Sequence, residues 1–473
     1  MVFEIKSYER KIFSLISEAA HELNVPTYVV GGYVRDRLLG RPSKDLDIVC
    51  VGSGIELANA FAKKLRPVPR IVTYARFGTA MLKHKDLEIE FVGARKESYR
   101  SDSRKPVVEG GTLEDDQNRR DFTINALAIS LNKEDFGTII DPFNGLTDLQ
   151  NKRIVTPLNP QMTFSDDPLR MLRAIRFASQ LEFDIDPVTF EGIQQMAGRL
   201  AIISKERIAT ELNKIILSRK PSVGFLLLSE AKLLEQFFPE LTALKGVEKR
   251  NNITHKDNFL HTLEVLDNIS KHTDDIWLRW TAIMHDLGKA TSKRFQKGHG
   301  WTFHGHEVIS ARLVPKIFKR LKLPLDQKMK YVQKIVGLHH RPISLTKENI
   351  TDSAIRRLLF DAGKELDDLM LLCKADITSK NKEKKERFIR NYEYVSKKLR
   401  QLEESDKIRN WQPPITGDMI MEYFNIPASR EVGLIKTAIR EAILDGEIKN
   451  EYGEAFEYMQ KKGKELLENS VDL

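Results

Sequence analysis

Cysteine is nearly absent from this 473-residue sequence: only Cys50 and Cys373 occur, far apart and in apolar surroundings. That excludes a disulfide framework and a cysteine-rich zinc site, and it fits a reducing cytoplasm. Long apolar runs are missing too, none approaching the ~18 residues of a membrane span. The opening stretch MVFEIKSYERKIFSL mixes charged and apolar side chains and lacks a signal-peptide core. No internal repeat occurs, and no low-complexity segment beyond short charge runs. What is abundant is charge: 76 Lys and Arg against 67 Asp and Glu leave a formal net charge of +9. Such an excess points to a polyanionic partner, because each phosphate neutralised releases counterions. A chain of this length is expected to hold several domains, each burying its own core.

The most informative stretch is YVVGGYVRDRLLGRPSKDLDIVCVG, Tyr28 to Gly52. Tyr28-Val29-Val30 reads as a short strand, Gly31-Gly32 as a tight turn, and Val34 to Leu39 as a helix, so phosphate can meet bare backbone at a helix N-terminus. Arg35 adds a charged fork for a triphosphate, while Asp36 favours the helix start. Asp45 to Val51 reads as a strand, where side chains alternate, so Asp45 and Asp47 share a face. Two carboxylates this close repel unless a cation lies between them, and Mg2+ takes carboxylate and phosphate oxygens. A two-metal clamp on attacking and leaving oxygens follows.

Asp86 to Val92 alternates polar and apolar like a half-buried strand. Glu90 and Glu88 share a face of it and are the candidates for a third metal carboxylate, Glu90 being the expected one. Further on, RRDFTINALA supplies Arg119, Arg120, Asp121 and Asn125, donors and acceptors for a ribose and a triphosphate. Asp121 and Asn125 stand four apart on an expected helix.

In DDPLRMLRAIR, Asp167, Arg170, Arg173 and Arg176 recur every three residues and form one polar stripe on a helix with Pro168 in its first turn. Cytosine and adenine both present an amine donor beside a ring-nitrogen acceptor, which an Asp acceptor next to an Arg donor fits. With uracil or guanine like groups face each other, and each unpaired polar group in a closed pocket costs roughly 1–3 kcal/mol.

GGYVRD, LLG and KDLDIV together resemble the head of class II template-independent RNA nucleotidyltransferases, which include the CCA-adding enzymes and bacterial poly(A) polymerases. RRDFTINALA matches the family's next motif, which checks for the ribose hydroxyl. The family's Glu-Asp-x-x-Arg motif reads the base; here Asp166 replaces the Glu, while Asp167 and Arg170 remain. The resemblance makes residues Lys96 to Asn118 the mobile loop beside the site, and the amphipathic helices of residues 204–241 the neck. It makes Asn425 to Asn450 a tRNA-binding tail, whose Gly433-Leu434-Ile435-Lys436 helix start would cradle a phosphate.

A second chemistry begins near Asn251: His261, His285-Asp286, His304, His306, His339-His340 and Asp376 fall in one helical window. Imidazoles and carboxylates on consecutive helices can converge on a divalent metal. The pattern resembles the HD phosphohydrolase superfamily, which implies a metal site of His261, His285, Asp286 and Asp376, extended to a second ion by His306 and His339. A metal-bound water there would attack phosphate esters.

The expected architecture is an α+β nucleotidyltransferase head with a polymerase-β-like mixed sheet over residues 10–155, followed by all-helical modules. These are a base-selecting and RNA-binding neck (156–245), an HD-like body (250–385) and a tRNA-binding tail (386–473). The basic run Lys380 to Lys385 reads as a solvated helix face or linker. The expected activity is CCA addition to tRNA from CTP and ATP with Mg2+. Poly(A) polymerisation, or addition of A alone, is the nearest alternative. Against poly(A) addition, the arginine-rich signature expected after the carboxylate pair is not seen, and the tail favours tRNA. From another class, an HD phosphohydrolase with a non-transferring, RNA-binding head stays open.

Overall fold

The computed structural model describes residues 2–100, 103–251, 253–345, 351–379, 381–406 and 413–471. Its contacts divide the chain into two compact units, Met1–Phe237 and Phe238–Leu473. Among the described residues no helix is long and apolar enough to cross a membrane.

The first unit opens with helix α1 (Ser7–Glu22) and strand β1 (Thr27–Val30), then α2 (Gly32–Leu38), β2 (Asp45–Cys50) and α3 (Gly54–Lys63). Strands β3 (Ile71–Tyr74), β4 (Thr79–His84) and β5 (Leu87–Gly93) follow, and β8 (Ala128–Ser130) and β9 (Ile139–Ile140) complete the sheet. The seven strands lie in the order β3-β4-β5-β2-β1-β8-β9. Only the β2–β5 pair is parallel, so the sheet is mixed as expected.

Alternation along the strands sorts the sheet into two faces. Val29, Leu46, Ile48, Ala80, Leu82, Ile89 and Phe91 point to one side, where Ile12, Phe13 and Ile16 of α1 and Leu57 and Phe61 of α3 close the core. Full burial of side chains such as Phe61 and Phe91 stabilises by roughly 1.5–3 kcal/mol each, which anchors the register. The other face carries a smaller apolar set, Val30, Val49, Ala94 and Ala128, at its centre. Asp45, Asp47, Glu88 and Glu90 belong to this second face by parity.

Two expectations change here. Residues Lys96 to Asn118 are not an irregular loop: β6 (Arg95–Arg100) and β7 (Ser103–Gly110) pair as a hairpin, and α4 (Leu113–Asn118) follows. Thr112 and Asp115 cap α4 reciprocally, a local signal that starts a helix whatever the polarity around it. Conversely RRDFTINALA forms no α-helix, only the 3-10 turn Thr123–Asn125.

The unit continues through α5 (Gly145–Gln150), α6 (Pro160–Asp166), α7 (Leu169–Leu181), α8 (Pro187–Met196), α9 (Lys205–Ile216) and α10 (Pro221–Glu230). Asn159 caps α6 and Asp186 caps α8, each followed by a proline in the first turn. Asp167 lies just outside α7, with Pro168 as its cap, so the polar stripe on the helix proper begins at Arg170. A short parallel pair, Arg153–Ile154 with Asp184–Ile185, also interrupts the all-helical expectation.

Among the described residues the second unit is helical apart from two small hairpins, Lys249–Arg250 with Ile253–Thr254 and Arg294–Gln296 with Gly300–Thr302. Lys380 lies outside the described residues, and the rest of that basic run leads into the long helix Lys382–Asp406. In the tail, Thr416 caps Gly417–Phe424 as the Pro-Pro-Ile-Thr-Gly sequence implies. The next helix runs Arg430–Asp445, so Gly433 sits inside it and the expected phosphate cradle is not a helix start.

Candidate active site and metal centre

The head site is built by register. Asp45 lies beside Glu88 and Asp47 beside Glu90 on the parallel pair, while Val30, the last residue of β1, faces Asp47 from the other side. The chain leaves β1 through Gly31 at φ 76, which a side chain rarely adopts. A Cβ there would lie 3.0 Å from Nη1 of Arg120 and 3.3 Å from Oδ2 of Asp47. The glycine turn, the carboxylate and the arginine therefore crowd one point. A cavity of about 360 Å3 opens beside it, lined by Asp47, Glu90, Arg95, Arg119, Arg120, Tyr74 and Phe77 among others.

Electrostatics mark Asp47. Burial raises its carboxyl to about 6; Arg120 pulls the other way, while Glu90, Asp45 and Asp116 add repulsion. A cation among Asp45, Asp47 and Glu90 would relieve that repulsion, and carboxylate oxygens are the donor type a hard divalent ion takes. Of the two candidates for the third carboxylate, Glu88 is paired with Lys83 and Glu90 lines the cavity.

Arg119 and Arg120 are held by one buried carboxylate, Asp116. Arg120 Nη2 lies 2.7 Å from its Oδ2, and Arg119 pairs with Oδ1. Burial would raise the Asp116 carboxyl, but the two guanidiniums outweigh it and keep it ionised. Arg35, expected to face phosphate, is buried; it donates to Asp36 (2.9 Å) and through Nη1 to Oδ1 of Asn125 (2.7 Å). Asn125 Nδ2 in turn donates to Asp121 Oδ1 at 2.9 Å. The Asp121–Asn125 contact thus exists without the expected helix.

On the neck side, Arg173 donates to Asp121 Oδ2 at 2.6 Å. Burial alone would raise Asp121, but Arg173 and Asn125 bring it down to about 2. Arg176 stacks 4.1 Å over Phe177 and pairs with Glu211 at 3.0 Å, and burial lowers its pKa to about 10. Arg170 is buried and donates to the carbonyls of Thr163 and Arg119. Asp167 accepts from the Leu169 amide at 3.1 Å and pairs with Arg207 at 3.4 Å. Of the stripe expected to read a base, then, Arg170 is buried on two backbone carbonyls, Arg173 and Arg176 are engaged in internal ion pairs, and Asp167 keeps a partly exposed edge.

The second unit brings together side chains far apart in sequence, all near helix ends. His261 is in the first turns of Asn258–Ser270, and His285 caps Ile276–Met284 and is followed by Asp286. His306 opens His306–Leu321, His339 caps Gln327–Leu338, and Asp376 caps Leu366–Ala375. His261 Nε2 lies 2.9 Å from Asp376 and 3.3 Å from Asp286; His285 Nε2 lies 3.2 Å from Asp286. His306 and His339 reach the other Asp286 oxygen at 3.3 and 3.8 Å.

The outer nitrogens fix the tautomers. Nδ1 of His285, His306 and His339 donates to the carbonyls of Ala282, Phe303 and Val336 at 2.7–2.8 Å, which turns each Nε2 inward. Burial lowers His339 to about 3, keeping it neutral. Asp286 is ionised: burial opposes this, but His285, Lys289 and His261 outweigh it. Nε2 of His285 and Oδ1 of Asp286 are buried without a hydrogen-bond partner, as ligand atoms awaiting a cation would be. Among the described residues, the groups of three whose ligand atoms lie close enough to share an ion are His261-His285-Asp286 and Asp286-His306-His339; the head carboxylates Asp45, Asp47 and Glu90 share a sheet face but do not form such a group. A cavity of about 1140 Å3 gives access.

Residues 27–155 match the "Poly A polymerase head domain", 182–245 the "Probable RNA and SrmB- binding site of polymerase A", and 258–381 the "HD domain". The chain is 33% identical over 362 residues to the multifunctional CCA protein of Nitrosococcus oceani, spanning 74% of this chain and 84% of that protein. It belongs to the class II template-independent RNA nucleotidyltransferases. A relative named A-adding tRNA nucleotidyltransferase, from Aquifex aeolicus, is 31% identical over 380 residues, 75% of this chain and 45% of that one. The fold is shared with the Thermotoga maritima CCA-adding enzyme complexed with tRNA: TM-score 0.61, 24% identity, 97% of this chain and 96% of that one.

Several residues that organise this nucleotidyltransferase were not apparent from motif spacing. Asp116 holds both arginines of the RRD motif, and its i, i+3 and i, i+4 separations were a signal available in the sequence. Arg207 and Glu211 lie in the amphipathic neck stretch, and only the docking of α9 on α7 brings them to Asp167 and Arg176. In the HD centre, Lys289 bonds Asp286 at 2.6 Å, and Thr378 bonds His261 at 2.9 Å.

Proposed function

We propose that this chain adds the CCA sequence to tRNA 3′ ends, using CTP and ATP with Mg2+. The observation that carries the reading is the strand register that sets Asp45, Asp47 and Glu90 on one sheet face, beside the glycine turn and Arg120. Kinship with CCA proteins supplies the substrate class. Asp45, Asp47 and Glu90 would hold the Mg2+, which when bound acidifies the attacking hydroxyl and neutralises the triphosphate. The RNA O3′ bonds to the α-phosphorus, the bond to the β-bridging oxygen breaks, and pyrophosphate leaves. Arg119 and Arg120, fixed by Asp116, orient phosphate oxygens with little reorganisation. The Asp121–Asn125 pair would check the ribose, and Asp167 with Arg170 would select cytosine or adenine by hydrogen-bond polarity.

The modules we assign are the head at 10–155, the neck at 156–245, the HD body at 250–385 and the tail at 386–473. The setting is the cytoplasm, in keeping with two buried free thiols. The inward-facing Nε2 set supports a second activity, metal-dependent phosphoester hydrolysis, in the HD body. The test uses tRNA ending at the discriminator base, with CTP and ATP singly and together. Addition of two C with CTP alone and of CCA with both supports the reading. Addition of A alone moves the chain to the A-adding class. No incorporation, with hydrolysis retained, leaves the HD phosphohydrolase alternative.

A further inference from the structure

One wall of the head cavity has no part in the reading above. Beside Asp47 and Glu90 it is lined by Tyr74 and Phe77, which are 46% and 63% exposed. Register accounts for Tyr74. Val72 pairs with Met81, Met81 with Glu90 and Glu90 with Asp47, so Val72 and, by parity, Tyr74 lie on the carboxylate face of the edge strand β3. At about 4.8 Å per strand, Val72 stands roughly 10 Å from Glu90. Phe77 is presented from the 3-10 turn Ala75–Phe77, which Gly78 closes in the left-handed region, and Arg76 adds a cation in that turn. Neither ring stacks on another aromatic among the described residues.

Two exposed rings beside a charged reaction centre offer a flat apolar surface, and a nucleobase is a partner of matching shape. Which base it is follows from the reaction. The incoming nucleotide must be discriminated, which calls for hydrogen bonds of the Asp167 and Arg170 kind. The acceptor's last base is the discriminator before the first addition and C before the next two, so its site must accept more than one base. Stacking does so, because every base has a π face. We propose that Tyr74 and Phe77 form a stacking subsite for the 3′-terminal base of the RNA acceptor. This rests on the transferase reading.

The experiment compares Tyr74→Ala, Phe77→Ala, Phe77→Leu and Phe77→Trp in steady-state incorporation, varying acceptor RNA and nucleotide separately. Each alanine variant is expected to raise the acceptor KM about tenfold, or ~1.4 kcal/mol, within the range of one base–aromatic stack. The nucleotide KM and kcat stay within about twofold. Phe77→Trp keeps wild-type values and Phe77→Leu does not. An unchanged acceptor KM in both alanine variants, a rise in nucleotide KM instead, or full rescue by leucine overturns the proposal. If the wild-type chain incorporates nothing, the transferase reading fails. Anisotropy binding of a labelled single-stranded RNA then decides the subsite: weakening by Phe77→Ala supports it and unchanged binding overturns it.

Discussion

Replacing Asp47 with asparagine should abolish nucleotide incorporation and at the same time stabilise the metal-free protein. Burial, with Glu90, Asp45 and Asp116 nearby, raises the Asp47 carboxyl from its usual 3.8 to about 6. At about 1.36 kcal/mol per pH unit, the ionised form is disfavoured by roughly 3 kcal/mol in the fold. Asparagine resembles the neutral acid and lifts that penalty. The sign runs opposite to the common carboxylate case. Because the folded pKa lies above the unfolded one, protonation favours the fold; this contribution is complete below about pH 4 and lost as pH rises through about 6. The stabilisation by Asp47→Asn should therefore be about 2–3 kcal/mol at pH 8 and small at pH 4. For a unit of this size that corresponds to a Tm rise of roughly 4–12 °C. Thermal melts of both proteins at pH 8 and pH 4, in EDTA and in Mg2+, provide the assay. Mg2+ should raise the wild-type Tm and move the variant less. A lower Tm for the variant at pH 8 in EDTA would refute the electrostatic argument, whatever happens to activity.

Asp116→Ala leaves Arg119 and Arg120 without their buried partner. It should destabilise by about 3–5 kcal/mol and raise the nucleotide KM, checked by urea unfolding and kinetics. Asp167→Ala should relax selection: incorporation of UTP relative to CTP rises about 10–100-fold, as expected when a pairing worth ~1–3 kcal/mol is removed. Single-nucleotide incorporation measures it, and an unchanged ratio argues that another group reads the base. In the HD centre, His285→Ala should remove divalent-ion binding and any phosphoesterase activity while CCA addition stays within twofold of wild type. Calorimetric titration with Mn2+ or Ni2+ and parallel assays separate the two activities, and loss of both together would contradict independent sites.

Much of the head was legible because its signals are local. A period of two placed Asp45 and Asp47 together once their strand was recognised, and Gly31-Gly32 announced a turn that a side chain would obstruct. The misreadings have local causes as well. The resemblance implies a mobile loop at 96–118, yet backbone pairing forms a hairpin there without apolar side chains, and the Thr112–Asp115 cap starts a helix. Asp121 and Asn125 matched helical spacing, but a side-chain hydrogen bond and a 3-10 turn satisfied it equally well. Arg35 looked free in sequence because Asn125, ninety residues on, is invisible to spacing.

The sequence by itself determined the chemistry present: a paired carboxylate behind a glycine turn, an arginine-bearing helix, and histidines and aspartates in helical context. Residue type and short-range periodicity encode those features. Only tertiary structure decided which groups meet. Parallel pairing of β2 with β5 set Glu90 beside Asp47, and docking of α9 on α7 gave Asp167 its Arg207. Helix packing carried Asp376 to His261 across more than a hundred residues. Such meetings depend on how buried surfaces fit in three dimensions, and the separation of two residues along a chain carries no record of that fit.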